Sequence, residues 1–253
     1  MSSPAWVAGR ASEIGSSTAT SRHPALIRVT HWITALCFLA LLVTGTEIVL
    51  SHPRFYWGET GNVLTTPLFK IPVPSSRATV PTGYGYVLPD QNGWSRYLHF
   101  QAAWAIVLTG FLYAAFITLT GHLRRNLLPT GDALSPRAIS SIIGNHLRFQ
   151  RPSESEAWSY NVIQRLAYLL VIFLLFPLII WTGLAMSPAV ASVFPWSVSI
   201  LGGQQSARTI HFFVTIALVL FLFVHVLMVW RAGFVKRTRA MITGHAGQEV
   251  EQS

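Results

Sequence analysis

The chain has 253 residues, of which 51% are hydrophobic and only 11% charged, with a mean hydropathy of +0.46. So apolar a composition excludes an ordinary soluble enzyme and points to an integral membrane protein. The formal net charge of +9 invites a nucleic-acid reading, but the basic residues cluster beside apolar runs as membrane topology requires, which sets nucleic acid aside.

Residues 1–22 are rich in Ser, Ala, Thr and Gly, carry no apolar run, and read as a disordered cytoplasmic tail rather than a cleavable signal peptide. Four segments long and apolar enough to span a bilayer follow: His31 to Leu50, His99 to Thr120, Val162 to Met186 and Thr209 to Trp230. They predict an all-α fold, an integral-membrane four-helix bundle over residues 23–240 with a long outer loop between helices one and two. Residues 241–253 form a second cytoplasmic tail. The single cysteine, Cys37, lies within the first span, so neither a disulfide framework nor a Cys-ligated cluster is available.

Basic residues set the orientation. Arg10, Arg22 and Arg28 precede span one; Arg124, Arg125, Arg137, Arg148 and Arg151 lie between spans two and three; Arg231, Lys236, Arg237 and Arg239 follow span four. All these segments fall on one side, the cytoplasmic one by the positive-inside rule, so both termini are inside and the loops 51–95 and 187–207 outside.

His211 and His225 share span four, fourteen residues and therefore about 21 Å apart in depth and about 40° apart around the helix. Imidazoles are rare in hydrocarbon unless they face the bundle interior and hold something. Orientation places His31 and His225 near the inner surface and His99 and His211 near the outer one. Two imidazoles at each depth suit a six-coordinate iron whose other ligands are porphyrin nitrogens, whereas zinc wants three or four protein ligands at one depth. The expectation is two haem b groups, held non-covalently because C-x-x-C-H is absent. Gly45 follows His31 by fourteen residues and Gly110 follows His99 by eleven, so each helix offers a ligand at one level and a gap beside the other, with Gly183 near the outer level. Ordinary small-residue helix packing accounts for any one of these glycines equally well.

The segments "RVTHWITALCFLALLVTG" at 28–45, "HPRFYWGETG" at 52–61, "YLHFQAAWAIVLTG" at 97–110, "QRLAYLLVIFLLFPLIIWTGLAMSP" at 164–188 and "ARTIHFFVTIALVLFLFVHVLMVWRAG" at 207–233 resemble the di-haem, four-helix cytochrome b subunits that anchor bacterial formate dehydrogenases, nickel-iron hydrogenases and thiosulfate reductases. "YWGETG" and "TGLAMSP" look most like the thiosulfate-reductase-type branch, often paired with molybdenum-cofactor oxidoreductases. The resemblance implies that His31, His99, His211 and His225 are the haem ligands and that the subunit exchanges electrons with membrane quinone. It implies a quinone site near His225, where Tyr160, Asn161, Gln164 and Arg28 lie close in depth; helix capping and interfacial anchoring explain those residues equally.

Arg28, Arg96 and Arg208 each precede a histidine of the set by three residues, which suits contacts to haem propionates and equally suits snorkelling to the interface. Glu47, the acid within a span, offers either a proton-handling group or a carboxylate reaching water. His52 and His122 stand at helix ends as substitutes for a ligand at their level; His23, His146 and His245 lie in polar segments. The proline-rich loop 51–95, with Tyr56, Trp57, Tyr84, Tyr86 and Trp94, reads as a lid over the outer level and a dock for a redox partner, or in part as an interfacial aromatic belt. The expected function is electron transfer between a periplasmic redox subunit, a molybdenum or iron-sulfur protein, and the quinone pool. A stand-alone superoxide:quinone oxidoreductase and a haem-free transporter using the histidines as proton relays are the rival classes.

Overall fold

The computed structural model describes residues 24–62, 64–72, 91–121 and 162–244. Four of its helices are long and apolar enough to cross a membrane, as the composition requires. The first, α1 (Ala25–Ser51), starts directly after Pro24 and stops at His52, whose successor Pro53 disfavours a further helical turn. It therefore begins six residues before the expected span. β1 (Arg54–Phe55) and β2 (Phe69–Lys70) form a short antiparallel ribbon with Arg54 opposite Lys70 and Phe55 opposite Phe69. Asn62 organises the chain between them, its side-chain oxygen accepting the backbone N–H groups of Leu64 and Thr65 at 2.9 and 3.0 Å.

The second long helix, α2 (Gln91–Leu119), packs along α1. Span three is interrupted: α3 (Val162–Leu170) passes through a π-helical stretch, Val171–Leu175, into α4 (Phe176–Ala185). Pro177 explains the interruption, because it has no N–H for the carbonyl four residues earlier and a wider turn lets a later N–H take its place. Two short helices, α5 (Pro188–Val193) and α6 (Trp196–Ser199), lead to α7 (Gln204–Arg231), which packs on α4 and the π-helical stretch. Left-handed Gly233 then turns the chain into α8 (Phe234–Thr243), a helix the sequence reading did not anticipate and which runs through the expected boundary at 240.

The buried apolar residues are few. One cluster, Val171, Val214 and Leu218, draws in Phe38 and Phe176 and so ties α1, span three and α7 together; another joins Ala185 and Ala207 to Val198 and Leu201 of the α6 turn. Many large apolar side chains along the spans point outward, among them Leu36, Val43, Phe111, Leu220 and Phe223. That is the surface of a bundle whose solvent is lipid. Hydroxyls within the spans satisfy themselves locally: Thr30, Thr109, Thr118 and Thr215 each donate to the carbonyl four residues back. The architecture is the expected all-α four-span bundle with a long first connection.

Candidate functional site

The bundle brings the four span histidines together in two pairs. His99 of α2 faces His211 of α7 with ring centres 6.4 Å apart, and His31 of α1 faces His225 of α7 at 6.3 Å, the planes inclined by 56° and 60°. Fourteen residues of α7 separate the two levels by about 21 Å along its axis. A nitrogen lies about 1.1 Å from its imidazole centre and a metal–imidazole bond is about 2.0–2.1 Å long, so two imidazoles on opposite sides of one ion would stand about 6.2–6.4 Å apart. Both pairs have that spacing. Among the described residues no cluster of three or more His, Cys, Asp or Glu could hold a metal ion by itself, so each level offers an ion two imidazoles, a donor set that a porphyrin would complete.

Local sequence sets the His99–His211 level. Thr44 Oγ1 lies 2.9 Å from His99 Nδ1, and Thr182 Oγ1 lies 2.9 Å from His211 Nδ1. Gly45 and Gly183, each the next residue along, back onto the same rings: a Cβ at either position would stand 3.4 Å from the Cε1 of His99 or His211. The small residue at 45 thus sits at the expected level, where it admits the imidazole of His99, and Gly183 does the same for His211. Gly110 of α2 is exposed, and a Cβ there would meet nothing within 4 Å. At the other level aromatic rings pack against both imidazoles. Phe221 stacks on His225 at 5.8 Å, Tyr168 meets it edge-on at 6.4 Å, and Trp32 meets His31 edge-on at 5.5 Å.

The three arginines differ. Arg208 donates to the backbone carbonyls of Arg54, at 2.9 Å, and His52, and its guanidinium lies 4.7 Å above the Phe55 ring. It tethers the ribbon to α7. Arg28 donates to the Ile242 carbonyl at 2.7 Å, capping the end of α8 beside Trp32, which donates to Met241 at 3.3 Å; the buried Nε of Arg28 has no hydrogen-bond partner among the described residues. That orphaned N–H, one turn from His31, is the kind of donor an anionic group at this level would satisfy. Arg96 is exposed near His52 and Arg208. Loss of solvent around its ring, then the charges of Arg208 and Arg96, hold the His52 imidazole below its usual pKa, so the positive charge of this cluster resides in the arginines.

The ribbon is bolted onto the start of α7. Gly58 accepts the N–H groups of Gln205 and Ser206 at 2.9 and 3.2 Å and donates to Ser206 Oγ at 2.7 Å; Glu59 accepts from Gln204 N–H at 3.2 Å, and Thr209 donates to the Tyr56 carbonyl at 2.7 Å. These bonds satisfy helix N-terminal donors and place a carboxylate at the positive end of the helix. Phe55, stacked on Phe69 at 4.6 Å and against Phe212 at 4.5 Å, closes the space next to His211. Tyr56 is buried, while Trp57 and Trp94 are exposed. Glu47 is half-buried on α1. Tyr84, Tyr86, Tyr160, Asn161, His23, His122, His146 and His245 lie outside the described residues, as does the side chain of Gln164.

The family description "Prokaryotic cytochrome b561" matches residues 22–244. The chain belongs to the prokaryotic cytochrome b561 family. Membership carries haem b, and the donor set fits it: paired imidazoles at bis-imidazole spacing inside an apolar bundle, those of His99 and His211 backed by glycine. This cytochrome is also 32% identical over 229 residues, 88% of its own length and 96% of the other's, to a protein of Azospira oryzae provisionally named protein-methionine-sulfoxide reductase subunit YedZ1. No solved structure matches the chain. The comparisons reach the cytochrome b family and stop short of its thiosulfate-reductase-type branch.

Sequence reading missed Thr44 and Thr182. The signal was present as a repeated Thr-Gly pair at 44–45, 109–110 and 182–183, one in each of three spans. At 45 and 183, contact at 3.4 Å leaves room for one methyl group. Gly183→Ala is therefore expected to keep its haem content, whereas Gly183→Leu, which drives a branched side chain into the His211 ring, is expected to lose haem; absorbance per mole of purified protein checks both.

Proposed function

We propose that this cytochrome is a di-haem electron-transfer subunit of the bacterial inner membrane. His31 with His225, and His99 with His211, would hold the two haems, and the chain would carry electrons between a periplasmic redox subunit, a molybdenum or iron-sulfur protein, and the membrane quinone pool. What supports the reading most is that one helix, α7, presents an imidazole at each of two depths and finds an opposing imidazole at bis-ligand spacing at both. Each haem, when bound, supplies one-electron chemistry at low dielectric. The chain's own residues orient the imidazoles and exclude water with aliphatic and aromatic side chains.

Both termini are taken as cytoplasmic on the distribution of Arg and Lys, which puts the ribbon and the His99–His211 level on the periplasmic side, where a partner would dock. The Azospira relative is named as a subunit of a reductase, which favours a partnered protein over a stand-alone enzyme. "YWGETG" and "TGLAMSP" remain the basis for placing the chain with thiosulfate-reductase-type anchors. We carry over a class of partner and not its substrate.

The test is haem stoichiometry and quinol reactivity on the purified full chain in detergent. Two haem b per polypeptide, reduced by a short-chain quinol under anaerobic conditions, is the expected result. A single haem per polypeptide, or two that quinol leaves oxidised, would overturn it.

A further inference from the structure

The two imidazoles of the His99–His211 level are held alike by different helices. Each Nδ1 stands 2.9 Å from a threonine hydroxyl of a neighbouring helix, Thr44 for His99 and Thr182 for His211. Each hydroxyl also lies within 2.7 or 2.8 Å of the carbonyl four residues back, Ala40 for Thr44 and Leu178 for Thr182. A hydroxyl has one proton, and a carbonyl can only accept. The threonine proton is thus committed to its own helix, so Oγ1 accepts from Nδ1–H, and the imidazole lone pair is on Nε2. Gly45 and Gly183 back the same two rings and leave no side chain to compete for them.

A bond donated from Nδ1–H makes Nε2 more basic and fixes the ring orientation, and a more basic ligand favours ferric over ferrous iron. His225 has no such bond among the described residues; its ring packs against Phe221 and Tyr168. We propose that Thr44 and Thr182 are positioning residues that hold His99 and His211 as Nδ1–H tautomers and lower the potential of the centre at that level. The inference rests on the di-haem reading. It assigns the repeated Thr-Gly pairs of α1 and α4 a role that composition and helix packing do not.

The experiment is a redox titration of the purified full chain, with components assigned by the His99→Ala and His31→Ala variants. Wild type should show two components, one of them missing in His99→Ala. Thr44→Val and Thr182→Val, isosteric but without an acceptor, should each raise that component and leave the other in place. The expected size is up to a tenfold change in the ferric-over-ferrous preference, about 59 mV for a one-electron couple. Thr44→Ser and Thr182→Ser, which keep the acceptor, should restore the wild-type value. Valine variants that retain both haems at unchanged potentials, a shift in the component that His31→Ala removes, or serine variants as shifted as the valines would each overturn the proposal. If valine empties the site, serine variants with haem at the wild-type potential support the clamp and empty serine variants overturn it. A wild type with a single haem, lost in His99→Ala and raised by Thr44→Val, would keep the clamp and overturn the di-haem reading.

Discussion

Replacing His211 with alanine is expected to halve the haem content, from two per chain to one, and to leave the surviving spectrum that of the centre at the other level. His211 stands opposite His99 and His225 opposite His31, so the four single variants should fall into two classes: His99→Ala with His211→Ala, and His31→Ala with His225→Ala. Removing one of the two imidazoles that would hold a haem leaves an exchangeable position in an apolar site, and a non-covalent haem would have nothing else of comparable strength to hold it. The double variant His99→Ala/His211→Ala should lose no more haem than either single one, because each member already empties the level. His31→Ala/His99→Ala should bind none. Haem-to-protein ratios with low-temperature spectra sort the classes, and loss of the same centre in His31→Ala and His99→Ala would refute the pairing.

Gly203→Ala is expected to destabilise the protein by roughly 2–5 kcal/mol, through left-handed strain together with steric overlap. Gly203 has φ +114°, and a Cβ there would stand 2.5 Å from both the carbonyl carbon and the oxygen of Gly58. That carbonyl accepts the N–H groups of Gln205 and Ser206, so the methyl strikes the group that caps α7. Gly233→Ala is the matched control: φ is +94°, yet a Cβ would meet nothing within 4 Å, so only the backbone strain remains, about 1–3 kcal/mol. Thermal unfolding in detergent should show the larger fall in Tm for Gly203→Ala. Equal falls would mean that the ribbon yields and that its bolt to α7 is soft.

The spans and the depths of their histidines were legible in the sequence because hydrocarbon imposes long apolar runs and makes each imaginable exception, such as His211 in "TIHFF", conspicuous. Helix ends were less legible. α1 begins at Ala25 and α2 at Gln91, well before their apolar runs, because polar first turns can leave the hydrocarbon and remain helical, as Arg28 does by reaching the end of α8. The π-helical stretch before Pro177 and the left-handed turn at Gly233 are backbone responses that hydropathy does not register. Thr44 and Thr182 escaped notice because a threonine in a membrane helix ordinarily bonds its own backbone, which both also do. Arg208 was read for its distance from His211 alone; its actual partners, the carbonyls of His52 and Arg54, are about 150 residues away along the chain, at separations of 156 and 154, and no local pattern encodes them.

Each imidazole pair unites the first helical hairpin with α7. At about 5–20 residues per second, a ribosome delivers α7 to the membrane several seconds after the hairpin that carries His31 and His99. Throughout that interval the nascent chain displays two half-sites with no opposing ring, and no translation product that stops before α7 can assemble either. Pigmentation would then report that α7 has been made and has met the first hairpin.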